Sequence, residues 1–341
     1  MADKKAAEKD SFIVNLLRKL SLAPEARTEA VKPYAGGKIR KFIDLFRASM
    51  SHLTVANVLG MLFALPIITL FIVVTTIGFE EFTYILTGVE EAPYLLGSFG
   101  IGLSSGSDLV STKIDMLLTY RLLLTGTAVC MPLLGFSFAG IYHITTKFNW
   151  GDSFITKRDK FGNEIPRIAV EFFRGVKLYW KQYLVLLSIY AVFVAGCGNL
   201  IITFVEALWL GTANAGHYIG LVIACILGLF STIILLNMMP LVVTYRTSLV
   251  SKFKNSCIFT VSFFAQQLFM VVVIAVPFLL LLVGSIITML AAIACLVLSL
   301  SYIAMISTVY SDTNSERYLV PLYEMSIAPA TKGGKKKKKK N

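Results

Sequence analysis

Charge is what this chain has least of. Asp, Glu, Lys and Arg make up 15% of its 341 residues, against about 25% in a soluble domain. Histidine is scarcer still, with three residues in all. The five cysteines, at 130, 197, 225, 257 and 295, are far apart, and four lie in apolar stretches. Metal centres and disulfide frameworks need clustered or paired ligands, so neither is expected. Also missing are a phosphate-binding glycine loop followed by Lys-Ser/Thr, a His-Glu-x-x-His helix and a Gly-x-Ser-x-Gly elbow. Gly97-Ser-Phe-Gly100-Ile-Gly102 reads as turn material. These absences exclude the familiar catalytic classes, and the expectation is a chain without cofactor or catalytic residue.

The charge deficit is uneven. Hydrophobic residues form 56% of the chain, mean hydropathy is +0.73, and long runs carry no charge. Runs of about 18 residues or more cross a bilayer core of roughly 30 Å. They fall near 53–78, 122–146, 183–205, 217–244, 263–283 and 286–310. The expected fold is an all-α bundle of six transmembrane helices. The last two runs are continuous, and as one helix they would measure about 72 Å, so a hairpin is expected at Gly284-Ser285. Pro66, Pro132, Pro240 and Pro277 fall inside spans and predict kinks. The short apolar piece Phe12 to Leu17, followed at once by Arg18 and Lys19, does not read as a signal peptide.

Cations set the orientation. Residues 1–52 hold eleven Lys and Arg, loop 147–182 eight, the segment after span four three, and the tail 311–341 eight. The other side keeps Lys113 and Arg121, while its long loop 79–121 is acidic. Both termini are therefore expected inside. The organisation expected is a cytoplasmic segment 1–52, a six-helix domain 53–310 and a basic tail 311–341.

Three cytoplasmic segments, 11–22, 38–50 and 166–183, have helical apolar stripes flanked by cations. They read as interfacial helices or as cytoplasmic extensions of the spans, and as docking surfaces in the sharper reading. For the third segment the candidate docking residues are Phe172, Arg174, Lys177, Trp180 and Lys181. Segments 38–52, 166–182 and 246–262 each lead into an odd-numbered span, which suggests three similar hairpin units. The lysine-rich end, Lys332 to Lys340, lacks any accompanying nucleic-acid module and reads as solvated or lipid-associated. No nucleic-acid partner is expected; the bilayer is.

Within the spans the polar residues are amides and hydroxyls. Asn57, Asn199, Asn237 and Gln266 are candidates for helix–helix hydrogen bonds or for a polar path. An ion-coupled pump needs charged relays there, and none is present within these limits. An enzyme would need a polar cluster around His143 or Glu206.

The order of several short motifs resembles the YesL-like family of bacterial integral membrane proteins. These are Asn57 through Pro66 to Thr69, Gly135-Phe-Ser-Phe-Ala-Gly140, Glu171-Phe-Phe-Arg-Gly-Val-Lys177-Leu-Tyr-Trp180-Lys181-Gln182, and Met239-Pro240-Leu241-Val242 continuing to Lys252-Phe-Lys254-Asn255-Ser256. The resemblance covers about residues 40–310. It implies a multi-pass protein of the bacterial cytoplasmic membrane, of undefined biochemical role and often encoded beside carbohydrate importers of the ATP-binding-cassette (ABC) type. An accessory component associated with ABC importer subunits in carbohydrate uptake is the first expectation. A transporter or permease subunit in its own right is the alternative. The N-terminal extension, loop 79–121 and lysine tail depart from shorter members.

Overall fold

The computed structural model describes residues 37–87, 109–152, 154–158, 164–280 and 285–327. Almost all of them are helical. The helices are α1 (Lys38–Thr87), α2 (Leu109–Cys130), α3 (Leu134–Trp150), α4 (Ile168–Trp209), α5 (Ala215–Thr244), α6 (Leu249–Ser262), α7 (Phe264–Leu279) and α8 (Ser285–Ile327). A two-stranded antiparallel ribbon, β1 (Thr156–Arg158) with β2 (Glu164–Pro166), lies between α3 and α4.

Five helical stretches are long and apolar enough to cross a membrane: Lys38–Leu70, Leu117–Trp150, Ile168–Trp209, Ala215–Thr244 and Ile293–Ser315. The pair α6 and α7, bent by 98° at their junction, makes up to six if it counts as one. In four of the five no more than 28% of the most apolar stretch is buried inside the protein. Outward-facing residues such as Val58, Leu62, Ile219, Val222 and Ile226 stay about half exposed. Water would not tolerate continuous apolar surface on this scale; lipid does.

Side-chain pairings reveal the helix directions. Asn57 donates to the carbonyl of Leu296, and Lys41 faces Asp312, so α1 and α8 are antiparallel. Tyr183 donates to the carbonyl of Met239 and Tyr190 bonds Thr232, so α4 and α5 are antiparallel too. Tyr142 pairs with Ser307, Thr145 with Thr308 and Asn149 with Asp312, which makes α3 and α8 parallel. Tyr302 bonds the carbonyl of Val273 and Tyr310 bonds Gln266, so the chain reverses between α7 and α8. The reversal expected at Gly284-Ser285 falls at the edge of the described residues.

Several sequence expectations change in detail. Segments 38–50 and 166–183 are not separate helices: each continues without a break into the following span. Among the described lead-in segments, only 246–262 holds a helix of its own, Leu249–Ser262, at a sharp angle to α7. Helix α1 runs on to Thr87 and α2 begins at Leu109, well inside the expected loop 79–121. Helix α8 reaches Ile327, past the limit of 310. The ribbon in loop 147–182 was not foreseen. Pro132 sits in a single 3-10 turn, Met131–Leu133, that joins α2 to α3, whereas Pro66, Pro240 and Pro277 lie inside continuous helices. The 11–22 segment and the lysine tail lie outside the described residues.

The core is built on α3, which packs against α1, α4 and α8. Small residues permit the approach. A side chain at Gly175 of α4 would meet the Cβ of His143 at 2.5 Å and the carbonyl of Ala139 at 2.9 Å; one at Gly140 would collide with the ring of Phe172. Gly196, by contrast, has nothing within 4 Å of such a position.

Candidate functional site

One end of the bundle holds the start of α1, the ends of α3 and α5, the start of α4, all of α6 and the later turns of α8. It also carries the described cations, apart from Lys113 and Arg121. At this basic end, three buried ionisable side chains each tie several elements together.

Glu171 is the first. Its side chain is fully buried, one turn into α4. Oε1 accepts from Lys147 Nζ at 3.0 Å and from the backbone N–H of Ile155 at 3.1 Å. Oε2 lies 3.2 Å from His143 Nε2, and Arg174 approaches Oε1 at 3.9 Å. One carboxylate therefore joins α3, α4 and the segment that opens the ribbon. A charge so far from water is tolerated only when its partners saturate it.

Asp312 is the second, 3% exposed on α8. Asn149 Nδ2 donates to Oδ2 at 2.7 Å, Trp150 Nε1 donates to Oδ1 at 2.9 Å, and Lys41 Nζ stands 3.5 Å from Oδ2. This set binds α1 and α3 to α8.

Lys252 is the third, 2% exposed on α6. Its ammonium donates to Gln182 Oε1 at 3.0 Å and to the carbonyl of Val242 at 3.2 Å. It plugs α6 across the end of α5 and the flank of α4. The carbonyl of Val242 is among those left without a helical donor near the end of α5, and a cation suits a helix C-terminus.

The four span amides separate rather than converge. Asn57 is fully buried between α1 and α8, where it also accepts from the backbone N–H of Ser301 at 3.1 Å. Asn199 bonds the carbonyl of Ala195 in its own helix. Asn237 donates to Thr260 of α6 at 3.3 Å. Gln266 accepts from Tyr310 at 3.3 Å and faces Lys38 at 3.4 Å. No two of them share a partner in these contacts. Each links or caps a different place, as helix–helix polar contacts do.

The expected docking residues divide in two. Phe172 is fully buried beneath Gly140, and Trp180 is half-buried, stacked on Phe136. Arg174, Lys177 and Lys181 are exposed. With them on the outer side of α4 stand Phe173 and Leu178, each about half exposed. His143 belongs to the Glu171 network. Glu206 pairs with Arg121 at the opposite end, tying α4 to α2. Among the described residues, no three His, Cys, Asp or Glu side chains are grouped closely enough to hold a metal ion.

Sequence reasoning missed Asp312, Lys41 and Lys252 as network members. No local signal marks them: the residues three and four positions away from Lys41, Lys252 and Asp312 are mostly polar, charged or glycine. Compared with family models, with curated proteins and with solved structures, the chain matches none.

Proposed function

We propose that this chain is a six-span protein of the bacterial cytoplasmic membrane, with both termini inside, that works by docking to a partner rather than by chemistry of its own. The partner in this reading is a membrane subunit of a carbohydrate importer, and the chain is its accessory component. The alternating helix directions and the cation-rich end support the topology. The resemblance in motif order supports the class of partner.

One observation carries the docking reading. The outer side of α4 offers Phe173, Arg174, Lys177, Leu178 and Lys181 on a helix whose inner side is locked by Glu171 and Phe172. A rigid, preorganised face loses little entropy on binding, and aromatic and arginine side chains are favoured at interfaces. The permease alternative is weaker. A pathway in a single chain would bring Asn57, Asn199, Asn237 and Gln266 to one cavity, and their partners lie on separate helix contacts.

Affinity capture from native membranes tests it. The wild-type chain should recover importer membrane subunits, and the double substitution Lys177→Glu/Lys181→Glu should lose them while remaining folded. Recovery of no importer subunit by the wild type would refute the reading.

A further inference from the structure

A groove of about 1,100 Å³ runs between the start of α1, the start of α7 and the later turns of α8. Its walls are almost wholly apolar, with Phe269, Met270, Val273 and Ile306 prominent. Its basic end is different. There Lys38 Nζ donates to Asn314 Oδ1 at 2.6 Å, sits 3.4 Å from Gln266 Oε1 and lies 4.2 Å above the Tyr310 ring. Arg40, highly exposed and 3.9 Å from Asp44 one turn on, lines the same mouth, and so exposed a pair is weak enough to yield to a phosphate.

From this geometry we propose that the groove binds one membrane lipid with an anionic phosphate headgroup. The phosphate sits at Lys38 and Arg40, and an acyl chain lies along Phe269, Val273 and Ile306. Three observations converge on that occupant. From Gln266 to Val273 the apolar wall extends about 10 Å along α7, enough for a length of acyl chain. The cations stand at one end of it only, matching an amphiphile with a charged head. The groove also faces outward: Phe269 and Ile43 are each more than half exposed on the side where lipid meets the bundle. Basic pockets between membrane helices suit such headgroups. Asn314 of α8 and Gln266 of α7 hold the Lys38 ammonium at the mouth of the groove, so its position is set before lipid arrives.

This inference rests on membrane integration and not on the identity of any docking partner, so failed importer capture leaves it intact. The test is lipid retention by the full chain in mild detergent, read by native mass spectrometry after incubation with phosphatidylglycerol or phosphatidylcholine. The wild type should prefer phosphatidylglycerol on the order of thirtyfold, since two cations near a membrane surface act roughly additively. Lys38→Gln/Arg40→Gln should bring the preference close to one. Val273→Trp, which fills the apolar wall, should reduce retention of both lipids. Circular dichroism and a single elution peak establish that each variant is folded; for any variant that is not, Arg40→Gln alone should lower the preference by about fivefold, one cation's share. Equal retention of the two lipids by the wild type would overturn the proposal. So would a preference unchanged by the charge substitutions. Retention seen only after deleting residues 1–36 would overturn it as well, because that segment would then be the occupant.

Discussion

Lys41 and Asp312 face each other across 3.5 Å with both side chains shut away from water, although 271 residues separate them in the chain. The pair brings the first described turn of α1 to the later turns of α8, and Asn149 and Trp150 also donate to the carboxylate.

Breaking that pair from one side should be costly. Asp312→Asn leaves the Lys41 ammonium buried beside a neutral amide, and about 3 kcal/mol of stability should be lost. Replacing both partners, as Lys41→Met/Asp312→Asn, should restore most of it, because no unpaired charge then remains and the amide oxygen still accepts from Trp150 or Asn149. Thermal unfolding of the wild type, Lys41→Met, Asp312→Asn and the double variant in one detergent gives the double-mutant cycle. A double variant as unstable as Asp312→Asn would show that the ion pair is not the source of the loss.

Glu171 predicts a local effect. Its Oε1 holds the Ile155 N–H at 3.1 Å, so Glu171→Gln weakens the tie between α4 and the ribbon. Hydrogen exchange over residues 154–158 and 164–166 should rise by about tenfold, the loss of roughly 1.4 kcal/mol of local protection, while exchange in α5 stays unchanged. Uniform acceleration in both regions would mean a global loss of stability instead.

Gly175→Ala tests the close approach of α3 and α4. The new methyl would meet the Ala139 carbonyl, a backbone atom that cannot rotate away. Overpacking of this kind costs about 1–3 kcal/mol. Gly196→Ala on the same helix has open space and should gain up to about 1 kcal/mol from helix propensity, a gain Gly175→Ala shares, so the difference between their melting temperatures reads the contact itself.

Orientation is accessible to labelling. In a cysteine-free background, Thr212→Cys at the far end of α4 should react with an impermeant maleimide on intact cells. Lys157→Cys in the ribbon should react only after the membrane is opened. The reverse pattern would invert the proposed topology.

Much of the architecture is legible in the residues because hydrocarbon imposes a length. Uncharged runs near 122–146, 183–205 and 217–244 each fall within one of the long apolar helical stretches, and the run 53–78 overlaps another that ends at Leu70. The 48-residue run that could not be one helix does reverse, between α7 and α8. The inner or outer facing of Phe172 was not legible. Its stripe with Ile168 and Tyr183 is apolar, and lipid and protein interior are apolar alike. Periodicity therefore marks a buried stripe without saying what covers it.

The amino-acid order alone determined that the chain is helical, apolar and asymmetric in cations, since those properties depend on composition and on spacing along one segment. Only the tertiary structure decided which charges are buried and with whom. Glu171, Asp312 and Lys252 find partners on other helices, and local sequence carries no information about which distant helix will lie alongside.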